Sequence, residues 1–259
     1  MKFNTKCVHG SGKPDSTGAI SPAIYMSSTF SHPKLGDTTG YQYTRESNPT
    51  RDRLEQLIAG LEDGKDALAF SSGMAAVDAV FHLFSPGDHI ILGDDLYGGS
   101  IRMFTNIYEQ NGIEFTYVGT SDLDAVKAAF KPNTKAVYIE TPTNPMMEIT
   151  DIRALCTLAH DRNALVIIDN TFLSPYFQKP LNLGADIVVH SGTKFIGGHH
   201  DVISGFTIVN DDELAAKLRL TYKTVGACLS AMDSWLVIRG VKTLALRMEQ
   251  HQKNAIALA

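Results

Sequence analysis

Ala164-Leu165-Val166-Ile167-Ile168-Asp169-Asn170-Thr171 sets five aliphatic residues directly before a carboxylate. The run is far short of the ~20 apolar residues that a bilayer span needs. It shows no polar alternation either, and an apolar run of this length is what a strand looks like when helices cover both faces of a parallel sheet. Four more runs share the character: Asp88 to Leu92, Ile113 to Val118, Lys135 to Ile139 and Asp186 to Val189. Between them lie stretches of helical period with plausible starts. Ser72-Gly73 precedes a helix predicted over Met74 to Phe84, Ser121-Asp122 one over Leu123 to Phe130, and Thr150-Asp151 one over Ile152 to Asp161. Strands alternating with helices predict an open α/β sheet, mostly parallel, with helices on both faces.

The ends of the chain read differently. The first sixty residues are dense in Pro, Gly, Ser and Thr without a sustained period, and they predict an extended arm. Val202 to Val209 follows the pair Gly197-Gly198 without an intervening helix, which predicts an antiparallel strand. Asp211 to Tyr222 and Ser230 to Ala259 predict helices; the second reaches the last residue uncapped, so the chain is expected to continue. No internal repeat or low-complexity tract interrupts this order.

Composition narrows the function. Of 259 residues 44% are hydrophobic and 20% charged, so the chain can bury a core and disorder is excluded as its dominant state. A net charge of -5 without a basic block leaves no footprint for nucleic acid, and small anions are the expected ligands. The opening MKFNTKCVHGSG has no apolar core of a secretory signal. Cys7, Cys156 and Cys228 have no C-x-x-C spacing, which fits neither a disulfide framework nor a zinc cluster and predicts a cytoplasmic protein without a membrane partner.

Ligands of open α/β sheets sit beyond the carboxyl ends of the strands, so polar residues placed there carry the functional argument. Ser71-Ser72-Gly73-Met74-Ala75 ends one strand and opens a helix, offering free N–H groups to a phosphate; taken alone it reads first as a serine N-cap. Asp169 can hold a proton on a ligand nitrogen, or close a loop. His190-Ser191-Gly192-Thr193-Lys194-Phe195-Ile196-Gly197-Gly198-His199-His200 is the densest segment. It joins an amine able to form a Schiff base, expected to be kept from solvent, to hydroxyls able to grip a phosphate. Ser191 to Lys194 fits S-x-x-K, but neither S-D-N nor K-T-G follows. Gly60 to Asp66 has the wrong spacing for a phosphate-binding P-loop and lacks its Ser or Thr. His199-His200 would point to opposite sides of an extended segment, so no metal site is expected.

Together these segments resemble the pyridoxal-phosphate (PLP) enzymes of Cys/Met metabolism, the trans-sulfuration family of cystathionine β-lyases, γ-lyases and γ-synthases and methionine γ-lyases. The resemblance rests on Tyr43-Thr44-Arg45-Glu46-Ser47-Asn48-Pro49-Thr50, Ser72 to Ala75, Asp95-Leu96-Tyr97-Gly98-Gly99, Glu140-Thr141-Pro142-Thr143-Asn144-Pro145, Asp169-Asn170-Thr171 and Ser191 to His199, with Ile238 to Leu244 resembling the entry to a connecting helix. It implies a fold-type I PLP-dependent transferase-like architecture. Residues 1–60 would be an arm on a neighbouring subunit, 61–250 the PLP-binding domain and 251–259 the start of a helix towards a C-terminal domain.

The same resemblance implies roles. Lys194 would carry PLP and serve as the mobile base, Asp169 would pair with the pyridine nitrogen, and Tyr97 would stack on the ring and act as an acid. Gly73, Met74, Ser191 and Thr193 would hold the phosphate, and Asn144 would lie near the phenolic oxygen. Tyr43 and Arg45 would reach the site of a partner, so the active sites of a homotetramer, a dimer of dimers, would be shared. The expected activity is carbon–sulfur cleavage of cystathionine or a related sulfur amino acid. The alternatives are γ-replacement by a cystathionine γ-synthase, a methionine γ-lyase, an aminotransferase, or a cofactor-binding domain without turnover. Gly99 stands where methionine γ-lyases carry cysteine, which counts against that subfamily. The arginine that grips the substrate carboxylate in the family belongs to the C-terminal domain and has no match among these residues.

Overall fold

The aliphatic runs become strands of one sheet. The computed structural model describes residues 1–12 and 14–259, and its elements in chain order are α1 (Phe3–His9), α2 (Pro49–Glu62), β1 (Asp66–Phe70), α3 (Gly73–Phe81), β2 (His89–Gly93), α4 (Gly98–Met103), β3 (Glu114–Val118), α5 (Leu123–Ala129), β4 (Thr134–Glu140), α6 (Ile152–His160), β5 (Leu165–Asp169), α7 (Ser174–Phe177), β6 (Ile187–Ser191), β7 (Gly205–Val209), α8 (Asp212–Val225), α9 (Ala231–Val241) and α10 (Leu244–Leu258). The strand order is β1-β7-β6-β5-β4-β2-β3. Strands β2 to β6 pair in parallel, whereas β7 runs antiparallel to both β6 and β1. Two reversals cancel, so the carboxyl end of β1 lies on the same rim as those of β2 to β6.

Both faces of the sheet are covered. On one, Leu68, Ile90, Leu92, Tyr138, Ile167 and Val189 pack with Val77, Val80 and Phe81 of α3 and Leu218 and Tyr222 of α8. On the other, Ala69, Val188, Phe206 and Ile208 meet Leu54, Leu57, Ile58 and Leu61 of α2 and Val237 and Ile238 of α9. Further along that face Val137, Ile139, Val166 and Ile168 meet Val126 of α5 and Leu155 of α6. Burying a side chain of this kind stabilises the fold by about 1.5–3 kcal/mol, which is why the strands read as unbroken apolar runs. The predicted starts of three helices are side-chain caps: Ser72 Oγ accepts the Ala75 N–H at 3.0 Å, Asp122 those of Asp124 and Ala125, and Asp151 that of Ala154.

Three expectations need correction. Residues 49–60, read as part of an extended arm, belong to α2, capped by Asn48, whose Oδ1 accepts the Thr50 N–H at 2.9 Å. Its Leu54, Leu57, Ile58 and Leu61 have the i, i+3, i+4, i+7 spacing of a buried stripe, masked in sequence by the Pro and Gly around it. The helix predicted over Ser230 to Ala259 is two helices. They break at Lys242-Thr243 because the Thr243 N–H and hydroxyl both turn back to the Gly240 carbonyl and Arg247 donates to the same oxygen at 3.2 Å. Strand β7 starts at Gly205 rather than Val202, since the N–H and carbonyl of Ser204 are taken by Thr193. Among the described residues no helix is long and apolar enough to cross a membrane, and the three cysteines are unpaired.

Candidate active site

At the shared rim β1 ends at Phe70, β4 at Glu140, β5 at Asp169 and β6 at Ser191, and β7 begins there at Gly205. Strands β4, β5 and β6 each end on a polar side chain, and Ser72 follows β1. Ser72 takes the N–H groups of Ala75 and Ala76 with its hydroxyl and carbonyl, which leaves those of Gly73 and Met74 without an acceptor among the described residues. These two N–H groups open α3, where the helix dipole favours an anion. Ser191 lies against them, so close that a Cβ on Gly73 would come within 2.8 Å of the Ser191 Cβ. No larger residue fits at position 73 without parting the two strands' ends. The Ser191 hydroxyl has no hydrogen-bond partner among the described residues, and its N–H donates to Thr171 Oγ1 at 2.8 Å.

Lys194 follows on the turn after β6, and that turn is fastened at several points. The Gly197 N–H donates to the Gly192 carbonyl and the Gly198 N–H to the Lys194 carbonyl, each at 2.8 Å. Arg247 of α10 donates to the Phe195 carbonyl at 2.7 Å. Thr193 spends its hydroxyl on Ser204, donating to the carbonyl at 3.1 Å and accepting the N–H at 3.0 Å. Of the two hydroxyls expected on a phosphate, therefore, Ser191's is free and Thr193's proton is engaged. The Lys194 side chain is exposed rather than kept from solvent as anticipated. It has no carboxylate partner among the described residues.

Asp169 is only 9% exposed and likewise faces no lysine or arginine among the described residues. Its Oδ1 accepts the Thr171 N–H at 3.0 Å and the Tyr138 hydroxyl stands 3.4 Å from Oδ2. Burial pushes its carboxyl above the usual range, opposed by the hydrogen bonds from Thr171 and the nearby His190. Its partner in the β4–β5 register is Glu140, which accepts the Tyr97 N–H at 3.1 Å. Burial first, and then the charge of Asp169, pushes Glu140 up to about 8. Two buried carboxyls without a cation form a site that a positively charged ligand group would complete.

Tyr97, half-exposed at 49%, precedes α4. Its ring and Met74 both border Gly99: a Cβ there would run into the Tyr97 ring and lie 3.1 Å from Met74 Sδ. Asn144 is exposed on the loop after β4, whose Met146 N–H is held by Asp95 at 3.1 Å. Thus Gly73, Met74, Tyr97, Asn144, Asp169, Ser191, Thr193 and Lys194 all belong to one rim. Tyr43 and Arg45 are placed elsewhere. Both are exposed; the Arg45 guanidinium lies 5.2 Å from the centre of the Tyr43 ring and donates to the Lys223 carbonyl near the end of α8.

Sequence reasoning overlooked several supports. Glu140 belongs to the motif Glu140 to Pro145, and its signal is its place as the last residue of an apolar strand beside the strand of Asp169. Thr171 serves both Asp169 and Ser191. Beneath the rim His190 Nε2 meets Glu62 Oε1 at 2.5 Å, both fully buried, and Asn170 Nδ2 donates to the same oxygen at 2.9 Å. Strand alternation puts His190 on the face opposite Ser191, but only the fold brings the end of α2 under it.

The family model described as Cys/Met metabolism PLP-dependent enzyme matches residues 4–259. The cystathionine gamma-lyase of Bacillus subtilis (strain 168) is 50% identical over 260 residues, covering 100% of this chain and 69% of that one. The cystathionine beta-lyase of Lactococcus lactis subsp. cremoris (strain MG1363) is 50% identical over 258 residues, covering 99% of this chain and 68% of that one. The crystal structure of cystathionine gamma-lyase from Lactobacillus plantarum complexed with L-serine superposes with a TM-score of 0.97 at 50% identity, covering 100% of this chain and 68% of that chain. The rim itself fits PLP: among the described residues two unpaired N–H groups and a free hydroxyl suit its phosphate, an unpaired amine suits its aldehyde, and a buried carboxyl without a cation suits its ring nitrogen.

Proposed function

This chain belongs to the Cys/Met metabolism PLP-dependent enzyme family, and from that premise we propose that it is a carbon–sulfur lyase of trans-sulfuration, cleaving cystathionine or a related sulfur amino acid by β- or γ-elimination. The observation that carries the reading is the convergence on one rim of the Lys194 amine, the buried Asp169 carboxyl and the free N–H groups of Gly73 and Met74. PLP, when bound, supplies an aldehyde that takes an amine and a ring that accepts the electron pair left at the substrate α-carbon.

The chain's own residues divide the remaining work. Gly73, Met74 and Ser191 hold the phosphate with neutral donors at a helix N-terminus, joined by Thr193 if its hydroxyl turns from Ser204. Asp169 holds a proton at the ring nitrogen, since an ionised carboxylate buried without another cation gains most from one placed opposite it. Lys194 Nζ is the base that removes the α-proton, and for γ-elimination it also removes a β-proton. The Tyr97 hydroxyl gives a proton to the departing thiolate, and Asn144 lies near the phenolic oxygen.

Tyr43 and Arg45 act in a neighbouring copy, Arg45 completing the phosphate grip with a fork-shaped donor set. Their exposure supports this, and so does the openness of the rim around Lys194. The assembly is a homotetramer arranged as a dimer of dimers, and the three unpaired cysteines support a cytoplasmic setting. The test is to load the chain with PLP, supply cystathionine and identify the products. Homocysteine with pyruvate reports β-elimination; cysteine with 2-oxobutyrate reports γ-elimination. Amino-group exchange with a keto acid and no thiol release would overturn the reading in favour of an aminotransferase.

A further inference from the structure

Glu140 does something the lyase reading leaves out. It is the last residue of β4, 6% exposed, and pairs in register with Asp169 of β5, so both side chains project from the same face of the sheet. Its Oε2 accepts the N–H of Tyr97 at 3.1 Å, the residue from which α4 starts. One edge of the Tyr97 ring lies against Gly99, where it fills the space that a Cβ would need, beside Met74 Sδ. The backbone of Tyr97 is therefore tied to the strand next to Asp169 while its ring lies over a glycine.

We propose that Glu140 is a positioning residue, whose side-chain carboxyl fixes the backbone of Tyr97 and thereby the plane of the Tyr97 ring over the cofactor site. The inference rests on the reading of Tyr97 as the residue that stacks on PLP.

The task calls for a hydrogen-bond acceptor and not for a charge. The groups facing Glu140 are Asp169 from β5, Asp95 and the Tyr97 N–H from the segment before α4, and Tyr138 from its own strand. Two neighbouring buried carboxyls cannot both ionise cheaply, so they share a proton. Asp169 accepts hydrogen bonds from Thr171 that favour its ionised form, whereas among the described residues Glu140 accepts the Tyr97 N–H alone, an asymmetry that favours the proton on Glu140. The carbonyl oxygen of the neutral acid still accepts the Tyr97 N–H. A proton held on Glu140 leaves Asp169 the carboxyl able to pair with a ring nitrogen.

The experiment compares Glu140→Gln, Glu140→Met and Glu140→Ala in the PLP-loaded protein, reading the PLP dissociation constant and the visible circular dichroism of the bound cofactor, with Tyr97→Ala as reference. Glu140→Gln keeps an acceptor and is expected to match wild type in both readouts. Glu140→Met keeps the bulk without the acceptor and, like Glu140→Ala, is expected to weaken PLP binding about tenfold, the scale of one lost hydrogen bond at a buried group, and to alter the dichroism in the direction of Tyr97→Ala. The Met variant carries the comparison if the cavity left by Ala prevents folding. Wild-type dichroism and affinity in Glu140→Met would overturn the proposal, and so would a Gln variant as impaired as Met. If Tyr97→Ala itself leaves the dichroism unchanged, the reading of Tyr97 falls; if Tyr97→Ala changes it and Glu140→Met does not, only the role of Glu140 falls.

Discussion

The carboxyl rim of the sheet and residues 14–48 hold their functional candidates by different means. At the rim, Gly73 lies against Ser191, Thr171 serves two strands at once, and Arg247 and Ser204 pin the turn that carries Lys194. Residues 14–48 are mostly exposed and contain no helix; they are secured by a bridge between Thr29 and Tyr43 and by a few side chains at the start of α2. Asn48 donates to Tyr25 and Thr44, Thr50 to Ala23, and the buried Arg51 guanidinium to the Thr44 carbonyl at 2.6 Å. The rim's geometry thus comes from packing within the chain. Tyr43 and Arg45 are exposed on a segment with few anchors, the Arg45 guanidinium resting against the Tyr43 ring and the Lys223 carbonyl, and a change at that one carbonyl would free it for a target on another molecule.

That contrast can be broken by mutation. The largest effect is expected at the rim: Lys194→Ala should abolish thiol release, and borohydride treatment should leave no PLP covalently attached. A stoichiometric adduct in that variant would place the linkage on another amine. Asp169→Asn comes next, slowing exchange of the substrate α-proton by at least ~100-fold, the scale of a lost proton-holding group; exchange at the wild-type rate would mean that a different group keeps the ring protonated.

In the outward segment the effect should be smaller and should cross between copies. Arg45→Ala is expected to weaken PLP retention about tenfold through one lost charge-assisted contact. Mixed assemblies of Arg45→Ala and Lys194→Ala protomers, with subunit exchange verified, should recover activity, because one composite site then has both residues. Failure to recover it would return Arg45 to its own chain's site and erase the contrast.

The smallest expected effect is on the pH dependence of stability, and it sharpens the picture of the rim. Glu140, pushed up to about 8 from an ordinary 4.5, keeps its proton in the folded chain where the unfolded chain has already lost it. The folded state then binds more protons between those values, so this group makes stability fall as pH rises from about 4.5 through about 8. Urea unfolding of the cofactor-free chain across that range should show a shallower decline in Glu140→Gln than in wild type. Identical slopes would show that Glu140 is ionised in the folded chain.

Much of this was legible from residue order alone. The apolar run before Asp169 announces a strand buried on both faces because helices cover both sides of that position, and the polar residue next in line falls on the rim by necessity. Local chemistry also sufficed for the caps at Ser72, Asp122 and Asp151 and for the antiparallel turn into β7, since each depends on neighbours in the chain. It failed where a distant partner decides. The stripe of α2 is an ordinary helical stripe, but Pro and Gly around it hid it until the sheet was there to receive it.

Sequence by itself therefore determined the class of fold, the family and the set of chemical groups, because periodicity and motif are properties of residues close together in the chain. Tertiary structure alone decided which groups share an environment. It turned Glu140 and Asp169 into adjacent buried carboxyls without a cation, committed the Thr193 hydroxyl to Ser204, and set the end of α2 beneath His190. Burial, register and the absence of a counter-charge arise only when segments far apart in sequence come together, and those quantities fix where a proton resides.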